Sequence, residues 1–170
     1  KYGGTRYRID DRPYGGGPGM VIRAEPVLRA VAMAKRRAPK ARVVVLSPGG
    51  KEFTNKIAER WAKQGASLIL IAGRYEGIDA RVKKILKAEE ISIGNYTVTG
   101  GELPALIILD AVTRRLPGVL GDDQSIEERR VASHEVYTRP EVITVKKRNY
   151  RVPKVLLSGH HKKIDTYRAR

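Results

Sequence analysis

From Glu25-Pro26 to about Arg37, apolar residues recur at helical spacing. This predicts a helix with Val27, Leu28, Val31 and Met33 or Ala34 turned inward, ended before Pro39. Arg42-Val43-Val44-Val45-Leu46 is β-branched and continuously apolar after its first residue, the pattern of a strand covered on both faces, and Ser47-Pro48-Gly49-Gly50 stops it. Lys51 to Gln64 returns to the helical period, with Phe53, Ile57, Ala58 and Trp61 on one face. Ser67-Leu68-Ile69-Leu70-Ile71-Ala72 is a second buried strand, and Gly73-Arg74-Tyr75-Glu76-Gly77-Ile78-Asp79 follows at its carboxyl end. Strand, loop, helix, strand, loop, helix is the order of an α/β fold, a parallel sheet with helices on both faces. Ligands of such sheets sit outside the carboxyl ends of the strands. The loops Ser47–Gly50, Gly73–Asp79 and Ser92–Gly101 are therefore expected to converge on one pocket.

The densest local pattern is Ser92 to Ala105, SIGNYTVTGGELPA. Ile93-Gly94-Asn95-Tyr96 is a turn signal, Tyr96-Thr97-Val98-Thr99 a short β-type run, and Gly100-Gly101 a bend from which Glu102 opens a helix. Pro104 falls in the first turn, where its missing N–H costs nothing, and Leu103, Leu106, Ile107, Leu109 and Val112 are expected to be buried. Two uses of the glycine pair are open. One is a turn and helix cap; the other is a backbone seat for a polar small molecule against the N–H groups at the helix start.

Composition narrows the field. A chain of 170 residues suits one domain with a core of its own, and it has no cysteine, so disulfides, thiol nucleophiles and cysteine-based zinc sites are excluded. The sequence contains no apolar run of the roughly eighteen residues that a membrane span needs, and it shows no signal-peptide pattern. Charge says more: 34 Lys and Arg against 18 Asp and Glu give +16, which points to a polyanionic partner. Half of that excess lies between Arg139 and Arg170, where ten basic residues face two acidic ones, Glu141 and Asp165. The blocks Lys146-Lys147-Arg148 and Lys162-Lys163 read either as solvated faces or as phosphate contacts. The second reading gains from Tyr150, His160, His161 and Tyr167, which interleave with them.

Familiar catalytic signatures are missing. Neither GxxxxGK[ST] nor GxGxxG occurs, and with His134, His160 and His161 the only histidines there is no GxSxG or HExxH. Instead DDRPYGGGPGM (Asp10–Met20), LSPGG (Leu46–Gly50), GRYEGID (Gly73–Asp79), SIGNYTVTGGELPA (Ser92–Ala105), PGVLG (Pro117–Gly121), YTRPEV (Tyr137–Val142) and VLLSGHH (Val155–His161) run in order over nearly the whole chain. Together they resemble the motifs of the bacterial tRNA guanine-N1 methyltransferases, a family of the SPOUT superfamily.

The resemblance implies a deep trefoil-knotted α/β fold near the cofactor site. It also implies a cytoplasmic homodimer with shared active sites, and methylation of the tRNA guanine just 3′ of the anticodon. S-adenosylmethionine would be the donor, with Mg2+ called on for activity. Backbone groups of Leu46, Ser47, Pro48, Gly73, Ile93, Tyr96, Val98, Gly100 and Gly101 would hold the donor, with Gly94 in the same loop and Tyr75, Glu76 and Pro104 shaping the site. Guanine N1 carries a proton, so a base must accept it as the new bond forms, and a cation near O6 would stabilise the developing negative charge. Arg114 matches the family's catalytic arginine and takes the second role. Asp10, Arg12 and Tyr14 match a loop implicated in completing the site and meeting tRNA. Arg139 serves structure or the RNA backbone, Lys162 and Lys163 belong to the basic RNA-facing stretch, and Asp110 reads as a buried hydrogen-bonding partner.

The chain departs from the family where the general base should be. The family places an aspartate between PGVLG and YTRP. Here the stretch is DDQSIEERRVASHEV, with Arg129 at the aspartate's place, Glu128 the nearest carboxylate, and Glu127, Asp122 and Asp123 further off. Glu128 as the base stands beside a second reading, in which Glu127 and Glu128 pair with Arg129 and Arg130 on an exposed turn. Residues 1–160 read as the catalytic domain, lacking the family's N-terminal strand and helix, and 161–170 as the start of a linker or helix toward an absent C-terminal tRNA-binding domain. An active methyltransferase, a module of the same fold that binds donor and RNA without turnover, and a cofactor-free nucleic-acid-binding domain are the three readings to separate.

Overall fold

The valine run forms the centre of the sheet. The computed structural model describes residues 8–65, 67–121 and 135–169, and the chain divides into two compact units, Lys1–Val119 and Leu120–Arg170. The first unit opens with two short antiparallel strands, β1 (Asp10–Asp11) and β2 (Val21–Ile22), joined by the glycine-rich loop. Next come α1 (Ala24–Arg37), β3 (Arg42–Glu52), α2 (Asn55–Gln64), β4 (Leu68–Ile71), α3 (Arg81–Leu86), β5 (Glu89–Ser92) and α4 (Glu102–Thr113). β3, β4 and β5 make a parallel sheet of order β4-β3-β5.

Period two decides which helix covers which face. Val44, Leu46 and Ile91 pack with Ile57, Ala58 and Trp61 of α2 and Ile108 and Val112 of α4. Val43, Val45 and Ile71 pack on the other side with Ala24 and Val31 of α1 and Val82 of α3. The expected helices on both faces are therefore present. Trp61 fills the first core, its ring 5.7 Å from that of Phe53 and capped by the Arg42 guanidinium at 5.5 Å. Truncating such a side chain to Ala typically costs about 3–5 kcal/mol.

Local chemistry sets the ends of the elements. α1 carries Glu25 in its first turn and Lys35, Arg36 and Arg37 in its last, complementing the helix dipole. Thr54 caps α2 by accepting from the Ile57 N–H at 3.4 Å, and Gly65 ends it with φ 59°.

Five expectations are corrected. β3 runs on through Ser47–Gly50 to Glu52, so α2 begins at Asn55 rather than Lys51. The reason is a bulge: Leu46 and Lys51 both stand opposite Ile91 of β5. Gly50 makes this possible, because a Cβ there would lie 2.6 Å from the Ile91 backbone nitrogen. Among the described residues Tyr96–Thr99 belongs to no strand; the strand before it is β5, whose two glutamates hid it. Met33 and Ala34 are exposed, and Ala34 borders an open apolar groove lined in part by Ile69, Leu70 and Ile71 of β4. Asp110 is exposed rather than buried. On α4 Ile108 and Val112 enter the core, while Leu103, Leu106, Ile107 and Leu109 stand 46–62% exposed, because they lie off the stripe that meets the sheet and no core cluster among the described residues includes them.

The second unit holds a hairpin, β6 (Val142–Val145) and β7 (Arg148–Arg151), and two helices, α5 (Lys154–Leu157) and α6 (His161–Arg168). Ile164 is its buried apolar residue among those described. No described helix is long and apolar enough to cross a membrane.

Candidate functional site

The bulge in β3 turns Ser47-Pro48 outward at the carboxyl end of the sheet, and the loops after β4 and β5 close around it. The result is a cavity of about 370 Å3 lined by all three glycine-containing loops, within the range of about 300–1,000 Å3 usual for small-molecule sites. Leu46, Ser47, Pro48, Gly73, Tyr75, Glu76, Ile93, Tyr96, Val98, Gly100, Gly101 and Pro104 all line it. Gly94 does not. It sits behind Tyr96, whose ring carbon Cε1 lies 2.6 Å from where a Gly94 Cβ would be.

Backbone contacts fix the loops to one another. The Gly101 N–H donates to the Gly73 carbonyl at 2.8 Å, so it supports the fold rather than pointing free at a ligand. A Cβ on Gly101 would stand 2.7 Å from the Ala72 Cα. Arg74 bridges to Gly100 and donates through Nε to Glu102 Oε1 at 2.8 Å, joining the second loop to the start of α4. The Glu102 carboxyl is held below its usual range first by its own backbone N–H and then by Arg74. The glycine-rich loop leans on the same rim: the Glu76 N–H donates to the Met20 carbonyl at 3.1 Å, and Gly19 leaves room for the Glu76 side chain.

The lining combines carboxylates, exposed aromatic rings and unused backbone. Glu76 and Glu90 both reach it. Glu90 is held below its ordinary value chiefly by a hydrogen bond from Lys83, with burial opposing and the Ser47 hydroxyl adding to the effect. Tyr75 and Tyr96 are more than half exposed, and Tyr75 adopts a left-handed φ of 59°, uncommon for a bulky residue. From Asn95 to Val98 no backbone hydrogen bond to other backbone occurs among the described residues, so this stretch has donors and acceptors available to a ligand. The sequence reading had missed Glu90 and Arg74. Glu90 is placed at the site by β5, and Arg74 gains its role from Glu102, 28 residues further along the chain.

None of the other described candidates is on that lining. Arg114 is half-buried at the carboxyl end of α4 and is not on the cavity lining. Twelve helical residues separate it from Gly101, or about 18 Å at 1.5 Å per residue, so one chain does not bring it to the pocket. Asp10 is in β1, Arg12 follows it with its N–H bonded to Asp11 Oδ1 at 2.9 Å, and Tyr14 is fully exposed. Arg139, Lys162 and Lys163 belong to the second unit and are exposed. Glu127, Glu128, Asp122, Asp123, Arg129 and Arg130 fall outside the described residues. No cluster of three or more metal-ligating side chains occurs among the described residues.

Residues 1–170 match the family model described as tRNA (Guanine-1)-methyltransferase TrmD. Curated proteins named tRNA (guanine-N(1)-)-methyltransferase are similar over most of the chain. The one from Carboxydothermus hydrogenoformans is 47% identical over 169 residues, covering 95% of this chain and 63% of that protein. Those from Marinomonas sp. and Dictyoglomus turgidum are 46% and 47% identical over 164 residues, each covering 94% of this chain and 64% of the relative. The chain thus spans just under two thirds of the length of these relatives.

Proposed function

The chain belongs to the tRNA (guanine-1)-methyltransferase family, and on that premise we propose that it transfers a methyl group from S-adenosylmethionine to N1 of the guanine just 3′ of a tRNA anticodon. The observation that carries the reading is the cavity built from Ser47–Pro48, Gly73–Ile78 and Ser92–Gly101. Its residues suit the donor. Glu76 and Glu90 complement a cationic ligand, Tyr75 and Tyr96 flank the mouth, and the backbone of Asn95–Val98 can meet the edge of a purine. When bound, the donor supplies an already activated methyl group, so the protein's task is alignment.

In this proposal Arg114 sets its charge beside guanine O6, and Glu128 accepts the N1 proton. The roughly 18 Å along α4 between Gly101 and Arg114 supports a homodimer, in which Arg114 of one protomer serves the pocket of its partner. The exposed Leu103, Leu106, Ile107 and Leu109 support α4 as the surface where two copies meet. A trefoil knot near the cofactor site, a cytoplasmic location, a need for Mg2+, and a catalytic domain reaching residue 160 with the start of a linker or helix beyond belong to the same proposal. Asp10, Arg12, Tyr14, Arg139, Lys162 and Lys163 are then its tRNA contacts.

The test is transfer of labelled methyl to two tRNA transcripts that differ only at the base 3′ of the anticodon. The guanine transcript is expected to gain label and the adenine transcript none. Equal labelling of both, or of neither while the donor binds, would overturn the reading.

A further inference from the structure

The geometry points to the β6–β7 hairpin as a contact surface for a single-stranded RNA loop, with Lys146 and Lys147 taking phosphates and Tyr150 stacking on a base. The inference rests on the proposed tRNA substrate and adds a surface outside the donor pocket. In the ladder Val145 stands opposite Arg148 and Ile143 opposite Tyr150, so these four share one face, with Thr144 and Asn149 on the other. The second face is closed on itself, the Thr144 hydroxyl donating to Asn149 Oδ1 at 2.7 Å. The first face is open. Ile143, Val145 and Tyr150 are each about half exposed, Arg148 is exposed, and the ring of Tyr150 is followed by cations toward the tip.

The tip is the second observation. Lys146 and Lys147 form a two-residue turn with φ of 47° and 63°, the left-handed geometry for which Asn-Gly is strongly preferred. Placing two lysines there works against turn formation and projects two ammonium groups from the end of the hairpin. From Val142 to Arg151 there are four cations and no acid. A basic surface beside an exposed ring on a pleated ribbon is the arrangement that holds unstacked bases and their backbone. An anticodon loop supplies both.

The test compares wild type, the double variant Lys146→Asn/Lys147→Gly and Tyr150→Ala, each as the full chain. Binding to a labelled RNA stem-loop with guanine 3′ of the anticodon is followed by anisotropy across a salt series. Asn-Gly favours the turn, so the double variant keeps the hairpin while removing two charges. Its log affinity against log salt is expected to flatten by about 1.4, two single-strand phosphate contacts. Tyr150→Ala is expected to weaken stem-loop binding by roughly 5- to 100-fold with the slope kept, and to leave a loop-free duplex unaffected. Donor affinity should match wild type in both. Unchanged slope and affinity in a wild type that methylates would overturn this inference alone. Hairpin-dependent binding without methyl transfer would leave it standing and remove the functional reading. Variants that change sedimentation instead of RNA binding would assign the face to a second protein copy and overturn it.

Discussion

Gly101→Ala isolates the contact between the second and third pocket loops. Gly101 has φ −76°, which any residue can adopt, so the change is a matter of space alone. The new Cβ would be 2.7 Å from Ala72 Cα and 2.9 Å from Gly73 N, both main-chain atoms that cannot rotate away. Restoring ordinary contact at 3.4 Å needs 3.4 − 2.7, or 0.7 Å, of movement, which also strains the 2.8 Å hydrogen bond from Gly101 to Gly73. Overpacking costs about 1–3 kcal/mol and the weakened hydrogen bond up to about 1 kcal/mol. Reduced freedom of the unfolded chain returns about 0.4–1 kcal/mol. The net is a loss of about 2 kcal/mol, or roughly 4–8 °C in Tm for a chain of this size. Circular dichroism would read the melting temperature, and calorimetry the affinity for S-adenosylmethionine, expected to fall at least about tenfold as the loops part, the equivalent of 1.4 kcal/mol. Gly49→Ala is the control, since its Cβ would meet nothing nearer than the Ser47 hydroxyl at 3.9 Å. A Gly101→Ala protein that melts and binds like Gly49→Ala would refute the loop packing described here.

Other outcomes follow from the same structure. Leu106→Asp puts a charge in the middle of the exposed α4 stripe and is expected to turn a dimer into a monomer in analytical ultracentrifugation, with methyl transfer lost and donor binding kept. Arg42→Lys removes a guanidinium that bonds Glu89, donates to Gln64 at 2.7 Å and covers Trp61. It should lower stability by about 1–2 kcal/mol in chemical denaturation. Glu90 has a folded pKa below its ordinary 4.5, so its pairing stabilises above that pH and is lost as pH falls through the lower folded value. Lys83→Ala should therefore cost about 0.5 kcal/mol at neutral pH and flatten the fall in Tm below pH 4.5. Tyr137 is pushed up to about 12, chiefly by its hydrogen bond to the Glu135 carboxylate, so that contribution holds below the ordinary 10.0 and fades as pH rises through about 12. In an ultraviolet titration Glu135→Gln should bring one phenol back toward 10.0.

What the sequence disclosed tracks how local each cause is. The β-branched run from Val43 to Val45 and the helical spacing of Ile57, Ala58 and Trp61 are local signals, and they place the centre of the sheet and the buried face of α2, though not where β3 ends or α2 begins. The convergence of the three loops follows from topology, so the cavity was legible before any coordinate. Gly50 was read as a stop, because only the approach of Ile91 reveals that it allows β3 to bulge and continue. The α4 leucines were assigned to the core because apolar spacing marks burial without saying whether the cover is the same chain or another. The β6–β7 hairpin escaped notice because its turn lacks glycine and asparagine, the usual signal.

The most direct measurement of the central claim is the identity and position of the modified nucleoside. A guanine-bearing tRNA transcript incubated with the chain and S-adenosylmethionine would be digested and mapped by mass spectrometry. The account predicts one added methyl, at N1 of the guanine 3′ of the anticodon, and its loss with Arg114→Ala. Methyl on another base or atom, or undiminished product from Arg114→Ala, would contradict it.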